Sequence, residues 1–165
     1  MTTDFHLAQV NIARARGPID GPVMAGFVAL LEEINALAER SPGFVWRLQT
    51  DAGNATAVQP YDDARVLVNL SVWRGLDELK SYVYRGAHAA VMRRRREWFE
   101  RFDGFYLALW WVPAGHLPSV EEAKERLHRL GTEGPGPTAF TFTQPFPPPG
   151  GALPALDPSL EASCP

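Results

Sequence analysis

Cysteine is nearly missing from this chain: Cys164 is the only one in 165 residues, so no disulfide can form within it. That fits a reducing cytoplasm. No apolar run approaches the ~20 residues of a membrane span. Residues 1–6 lack the basic and apolar regions of a signal peptide. Positive charge is not in excess either: 16 Lys and Arg against 19 Asp and Glu leave a net charge of −3. A phosphate-backbone binder needs a basic face, so nucleic acid is excluded as a partner. There is no phosphate-cradling glycine loop and no dinucleotide fingerprint. The four histidines, at 6, 88, 116 and 128, have no metal-ligand spacing, so no metal site is expected. Ser-His-Asp and Cys-His nucleophile arrangements are absent too. What is left is a cytoplasmic protein whose partner is a small molecule.

The composition suits a folded domain: 45% of residues are hydrophobic and 21% charged. The length is that of one domain, able to bury roughly two thirds of its unfolded surface. The informative pattern lies in two segments. Residues 7–12 alternate Ala8, Val10, Ile12 with Leu7, Gln9, Asn11. Residues 66–73 alternate Val66, Val68, Leu70, Val72 with Leu67, Asn69, Ser71, Trp73. A strand sends successive side chains to opposite faces. Each segment therefore has one aliphatic face and one that mixes carboxamides, a hydroxyl and an indole. The aliphatic face calls for helices. The mixed face suits the lining of a cavity.

Strands are expected at 5–14, 44–49, 66–73 and 106–112. A helix capped by Asp20, with Pro22 in its first turn, fills the first gap, and 41–43 stop it. A second helical stretch, 76–84 and 87–102, breaks around Arg85-Gly86. Ser119 and Glu122 form a capping box for a last helix ending at Gly131. Residues 139–143 suit a short edge strand. The globular domain is placed at 1–143. The tail 144–165, with seven of the fifteen prolines, is expected to be disordered or to run extended along a neighbour.

The order β-α-β-β-α-β is the ferredoxin-like split βαβ arrangement, an α+β fold with one antiparallel sheet. Helices on one face leave the other bare. A bare face carrying Leu67, Trp73 and aromatic residues is an adhesive patch, most simply covered by a second copy about a twofold axis. The expected assembly is a homodimer closing a dimeric α+β barrel.

Residues 35–47, 69–73, 109–116 and His88 with 94–99 resemble an uncharacterised family of bacterial proteins in the dimeric α+β barrel superfamily. The likeness spans roughly residues 5–146. The superfamily includes cofactor-independent monooxygenases of aromatic polyketide biosynthesis, haem-degrading monooxygenases and small isomerases. In the polyketide enzymes an Asn and a Trp four residues later line the pocket, which implies that role for Asn69 and Trp73. In the haem-degrading members the site is a first-strand Asn, a third-strand Trp and a helical His, implying Asn11, Trp73 and His88.

The residues themselves allow weighing. Asn69 and Asn11, with Gln9 and Ser71, can hold a carbonyl, a phenolate or dioxygen, or merely bond one another across strands. His88 shares a helical face with Met92, Arg95 and Phe99. It is a candidate general base, a haem ligand, or a cap on a carbonyl. Arg95 can meet an anionic substrate group or a carboxylate. In the run 93–96, Arg93/Glu97 and Arg96/Glu100 can pair along a solvated face. One of Trp110/Trp111 must border the cavity, and Trp111 is assigned there; Trp46 and Arg47 stay undecided. His116 is either a loop site or a helix cap. The expected function is a cofactor-independent monooxygenase acting on an aromatic or polyketide-like substrate, with His88 and Asn69 catalytic. Haem bound through His88 and a non-catalytic ligand-binding dimer are the alternatives.

Overall fold

Strand alternation fixes where the cores form. The computed structural model describes residues 4–151. Four strands, β1 (Phe5–Arg14), β2 (Phe44–Arg47), β3 (Val66–Trp73) and β4 (Leu107–Pro113), make one antiparallel sheet in the order β2-β3-β1-β4. Helices α1 (Ala25–Arg40), α2 (Leu76–Tyr84), α3 (Gly86–Arg93) and α4 (Val120–Glu133) complete the ferredoxin-like α+β arrangement, with a 3-10 turn at Arg95–Glu97. Pairing sets Gln9 opposite Ser71, Asn11 opposite Asn69 and Leu7 opposite Trp73. The two mixed faces read from the sequence are therefore one continuous surface.

The expectation of a bare face is corrected. Both faces of the sheet are covered within one chain. Ala123, Leu127 and Leu130 of α4 share a core with Val10, Leu70, Val72 and Trp110 on the aliphatic face. Trp46, Leu48 and Val58 add to it from the side, and Lys124 lies 4.9 Å over the Tyr61 ring, joining α4 to the loop after β2. Helices α1, α2 and α3 lie over the mixed face, where Leu7, Trp73 and Leu109 meet Ala38, Leu76 and Leu79. The physical reason is that these apolar residues, spaced among the polar ones, give the mixed face enough surface to hold helices.

Several boundaries differ from expectation. Helix α1 starts at Ala25 with no side-chain cap, because turns at Gly21 (to the Pro18 carbonyl, 2.9 Å) and Ala25 (to the Pro22 carbonyl, 3.4 Å) take up the preceding residues. Its end needs Gly43, whose φ of +85° is open to glycine and whose missing Cβ would lie 2.5 Å from Cβ of Glu78. The break at Arg85-Gly86 is present, Arg85 extended and Gly86 at φ +70°. The helix stops at Arg93 rather than running to 102. Its tighter turn redirects the ion pairs, which form as Arg94–Glu97 (2.7 Å) and Arg65–Glu100 (3.1 Å). The edge strand at 139–143 reduces to two isolated bridges, Ala139 to Gly136 and Phe140 to Leu109, the latter with both backbone bonds at 2.8 Å. Of the tail, Phe146 packs against Phe140, while 152–165, with Cys164, lie outside the described residues. No helix among the described residues is long and apolar enough to cross a membrane.

Candidate active site

Between the mixed sheet face and the arch of α1, α2 and α3 lies a cavity of about 410 Å³. That is the size range of small-molecule sites. Asn69 sits mid-strand in an inner strand under the helices and is still exposed, so its side chain opens into this space. The cavity floor is a polar stripe. Gln9 Nε2 donates to Asn69 Oδ1 and to Ser71 Oγ (2.9 Å), and Trp73 Nε1 donates to the same Ser71 oxygen (2.9 Å).

The directions of these bonds matter. Ser71 Oγ accepts two hydrogen bonds, so its own O–H is left to donate. Asn69 spends its carbonyl on Gln9, which leaves its Nδ2 hydrogens for the cavity. The carboxamides do bond one another, as the bland reading held, but the network leaves donors pointing at the ligand space. Two preset donors at one side of the cavity favour developing negative charge on an oxygen. Asn11 also lines the cavity.

An aromatic stack rises from the end of this floor. Trp73 lies against Tyr82 (centroids 5.0 Å apart, 26° between planes) and Tyr82 against His88 (4.6 Å). Burial pushes the Tyr82 phenol well above its usual range, against a smaller opposing pull from Arg47. It stays a neutral donor, bonded to the Ile34 carbonyl at 3.3 Å. His88 Nδ1 lies 3.1 Å from the Val83 carbonyl oxygen. A carbonyl only accepts, so the proton sits on Nδ1 and the lone pair is on Nε2. Burial lowers the His88 pKa, more than the Val83 bond raises it. A neutral imidazole with a free Nε2 lone pair lines the cavity at neutral pH. The helix break at Gly86 is what brings this ring back onto Val83, five residues earlier.

Of the residues singled out from sequence, Gln9, Asn11, Asn69, Ser71, Trp73, His88 and Arg95 all line the cavity. Trp111 does not, which is a correction. It is on the expected face, but the 140–146 segment covers it and its indole donates to the Phe146 carbonyl (2.9 Å). Arg47, opposite Ser71, faces the cavity, and Trp46, opposite Val72, the aliphatic core. The β-bulge between Phe44 and Trp46 decides that choice, and it has no mark in the sequence. His116 is a helix-end contact: its Nε2 lies 2.7 Å from Glu122 Oε2, while Trp110 Nε1 donates to Oε1 (3.0 Å). Burial would raise the Glu122 pKa, yet these bonds hold it below its usual value. Ser119 accepts from the Glu122 amide (3.1 Å), so the capping box is half made, its carboxylate diverted to Trp110. Tyr82 was missed by sequence reasoning; its spacing of six from His88 gives no helical signal across a break. Among the described residues no group of three or more His, Cys, Asp or Glu could hold a metal ion.

The chain can now be set beside known proteins. Solved structures with a similar arrangement include SnoaB, a cofactor-independent oxygenase from Streptomyces nogalater: 19% identity, 69% of this chain, 98% of that one, TM-score 0.43. A candidate antibiotic biosynthesis monooxygenase from Nitrosomonas europaea is 11% identical over 72% of this chain and 98% of its own, TM-score 0.45. PA3566 from Pseudomonas aeruginosa is 15% identical over 72% and 98%, TM-score 0.38. No curated protein matches the chain. Residues 6–155 match one family model, and the chain belongs to that family, described as Domain of unknown function (DUF3291).

Proposed function

We propose that this protein is a cofactor-independent monooxygenase-like oxidoreductase acting on an aromatic, polyketide-like substrate. The observation that carries the reading is the pairing of a base with an oxyanion site in one cavity: the His88 Nε2 lone pair and the free donors of Asn69 and Ser71. On an anthrone the steps balance without added reductant. His88 Nε2 takes a proton from the ring CH2. The negative charge is delocalised through the fused rings to the carbonyl oxygen on the far side of the central ring, held by Asn69 Nδ2 and the Ser71 hydroxyl. The carbanion carbon reduces dioxygen and bonds to one oxygen atom; loss of its remaining hydrogen as the O–O bond breaks makes the new carbonyl, and the other oxygen leaves as water with that proton and the one held by His88. Removing one such donor typically lowers the rate ~10²–10³-fold, and removing a general base ~10²–10⁴-fold.

The test is oxygen uptake with anthrone, with anthraquinone measured as product, for the natural chain, Asn69→Ala and His88→Ala. Uptake one to one with quinone and lost in both variants supports the reading. Turnover untouched in both variants sinks the mechanism.

A second reading is haem bound through His88. An Nδ1–H held by a backbone carbonyl is a common second contact of a metal-bound imidazole. A Soret band saturating at one hemin per chain and lost in His88→Ala would favour it. The proposed setting is the cytoplasm and the proposed assembly a homodimer, supported now by the resemblance rather than by a bare sheet face; light scattering that gives the mass of one chain removes it.

A further inference from the structure

The charged groups lining the cavity do not balance. Arg47 is held by Glu39 (2.9 Å) and by the Gly53 carbonyl (2.7 Å). Glu100 is held by Arg65 (3.1 Å). His88 is neutral at neutral pH, for the reasons given above. Arg95 is half-buried and lines the cavity, and no carboxylate pairs with it among the described residues. Among the described residues its compensating contact is the Tyr106 ring, 5.2 Å from the guanidinium carbon. A ring face offsets only part of the cost of partly desolvating a guanidinium.

The position is built rather than incidental. The Arg95 carbonyl accepts from the amides of Trp98 (3.2 Å) and Phe99 (2.9 Å), so the 3-10 turn fixes its backbone. Trp98 is 3% exposed and packs on Phe27 (5.9 Å), which meets Phe99 edge-on (5.0 Å). All three aromatics line the cavity beside Arg95. An unpaired planar fork next to an aromatic wall matches a flat ligand bearing a carboxylate, which can accept two parallel N–H bonds.

We propose that the ligand of this cavity is an aromatic carboxylate, its ring against Phe27, Trp98 and Phe99 and its carboxylate on Arg95. This rests on the reading of the cavity as a small-molecule site but not on the oxygenation step. It makes Arg95 the residue that selects acids over neutral analogues.

The test uses the full chain with anthracene-2-carboxylate and its carboxamide. Binding is read by energy transfer from the chain's tryptophans, of which Trp73 and Trp98 line the cavity, and checked by calorimetry. The acid is expected to bind at least about tenfold more tightly than the amide. Arg95→Gln should abolish that preference while leaving amide affinity within about twofold, and Arg93→Gln, on the exposed side, should keep it. Circular dichroism of Arg95→Gln guards against simple misfolding, and Arg95→Lys, which keeps the charge without the fork, should retain only part of the preference. Equal affinity for acid and amide, a preference that survives Arg95→Gln, or no binding of either probe overturns the proposal. Acid selectivity with no oxygen uptake on either anthrone or an anthrone bearing a ring carboxylate leaves this inference standing and removes the oxygenase reading; uptake without acid selectivity does the reverse.

Discussion

On β3, Val66, Val68, Leu70 and Val72 point one way, and Leu67, Asn69, Ser71 and Trp73 the other. The first set meets α4 and is filled: each of the four is at most 6% exposed. The second set meets three helices, and a cavity of about 410 Å³ remains. Side-chain chemistry accounts for the difference. Aliphatic groups have no unmet hydrogen bonds, so nothing opposes close packing. A carboxamide and a hydroxyl left with spare donors cannot be sealed under apolar helices without cost, so the helices arch over them. One backbone thus serves as a stabilising face and a binding face at once, separated by a single residue of alternation.

That contrast can be broken from either side. Leu130→Ala, in the filled core, should lower unfolding stability by ~2–5 kcal/mol, measured by urea denaturation, with ligand affinity of the folded fraction unchanged. Asn69→Ala, on the cavity face, should do the opposite. Its stability should change less, by about 1 kcal/mol for the lost Gln9 bond, while turnover falls ~10²–10³-fold. Trp110→Phe removes the indole bond to Glu122 and should cost ~1–2 kcal/mol with no change in rate, which separates it from Trp73→Phe on the other face.

Smallest is the pH effect. Burial holds the folded His88 pKa below its unfolded value of about 6.5. Between those two values the unfolded chain binds more protons, so stability rises with pH through that window and levels off above it. The same neutral imidazole is the base. Turnover should therefore be level at neutral pH and fall only on the acid side, and the fall should be absent from the residual rate of His88→Ala.

Much of this was legible in the sequence, for physical reasons that can be named. Alternation in 7–12 and 66–73 identified both faces, because period two survives any tertiary context. Asn69 and Trp73 marked the cavity for the same reason, whereas His88 was marked by the helical face it shares with Arg95 and by the family resemblance. Which helices cover which face was not legible. The apolar stripes of α1 and α4 both suit a sheet, and Leu7, Trp73 and Leu109 make the mixed face apolar enough to accept three helices. Trp110 and Trp111 are equivalent in composition; the covering of Trp111 depends on Phe140 and Phe146, far along the chain. Arg47 reaches the cavity through a bulge that leaves no compositional trace.

Hydrogen exchange with and without a bound aromatic ligand such as anthrone tests the two-face account most directly, since ligation slows the local openings that expose amides. The account predicts slowing in α2, α3 and the loop at 47–56, with α4 unchanged. Slowing in α4 with none in α3 would contradict it.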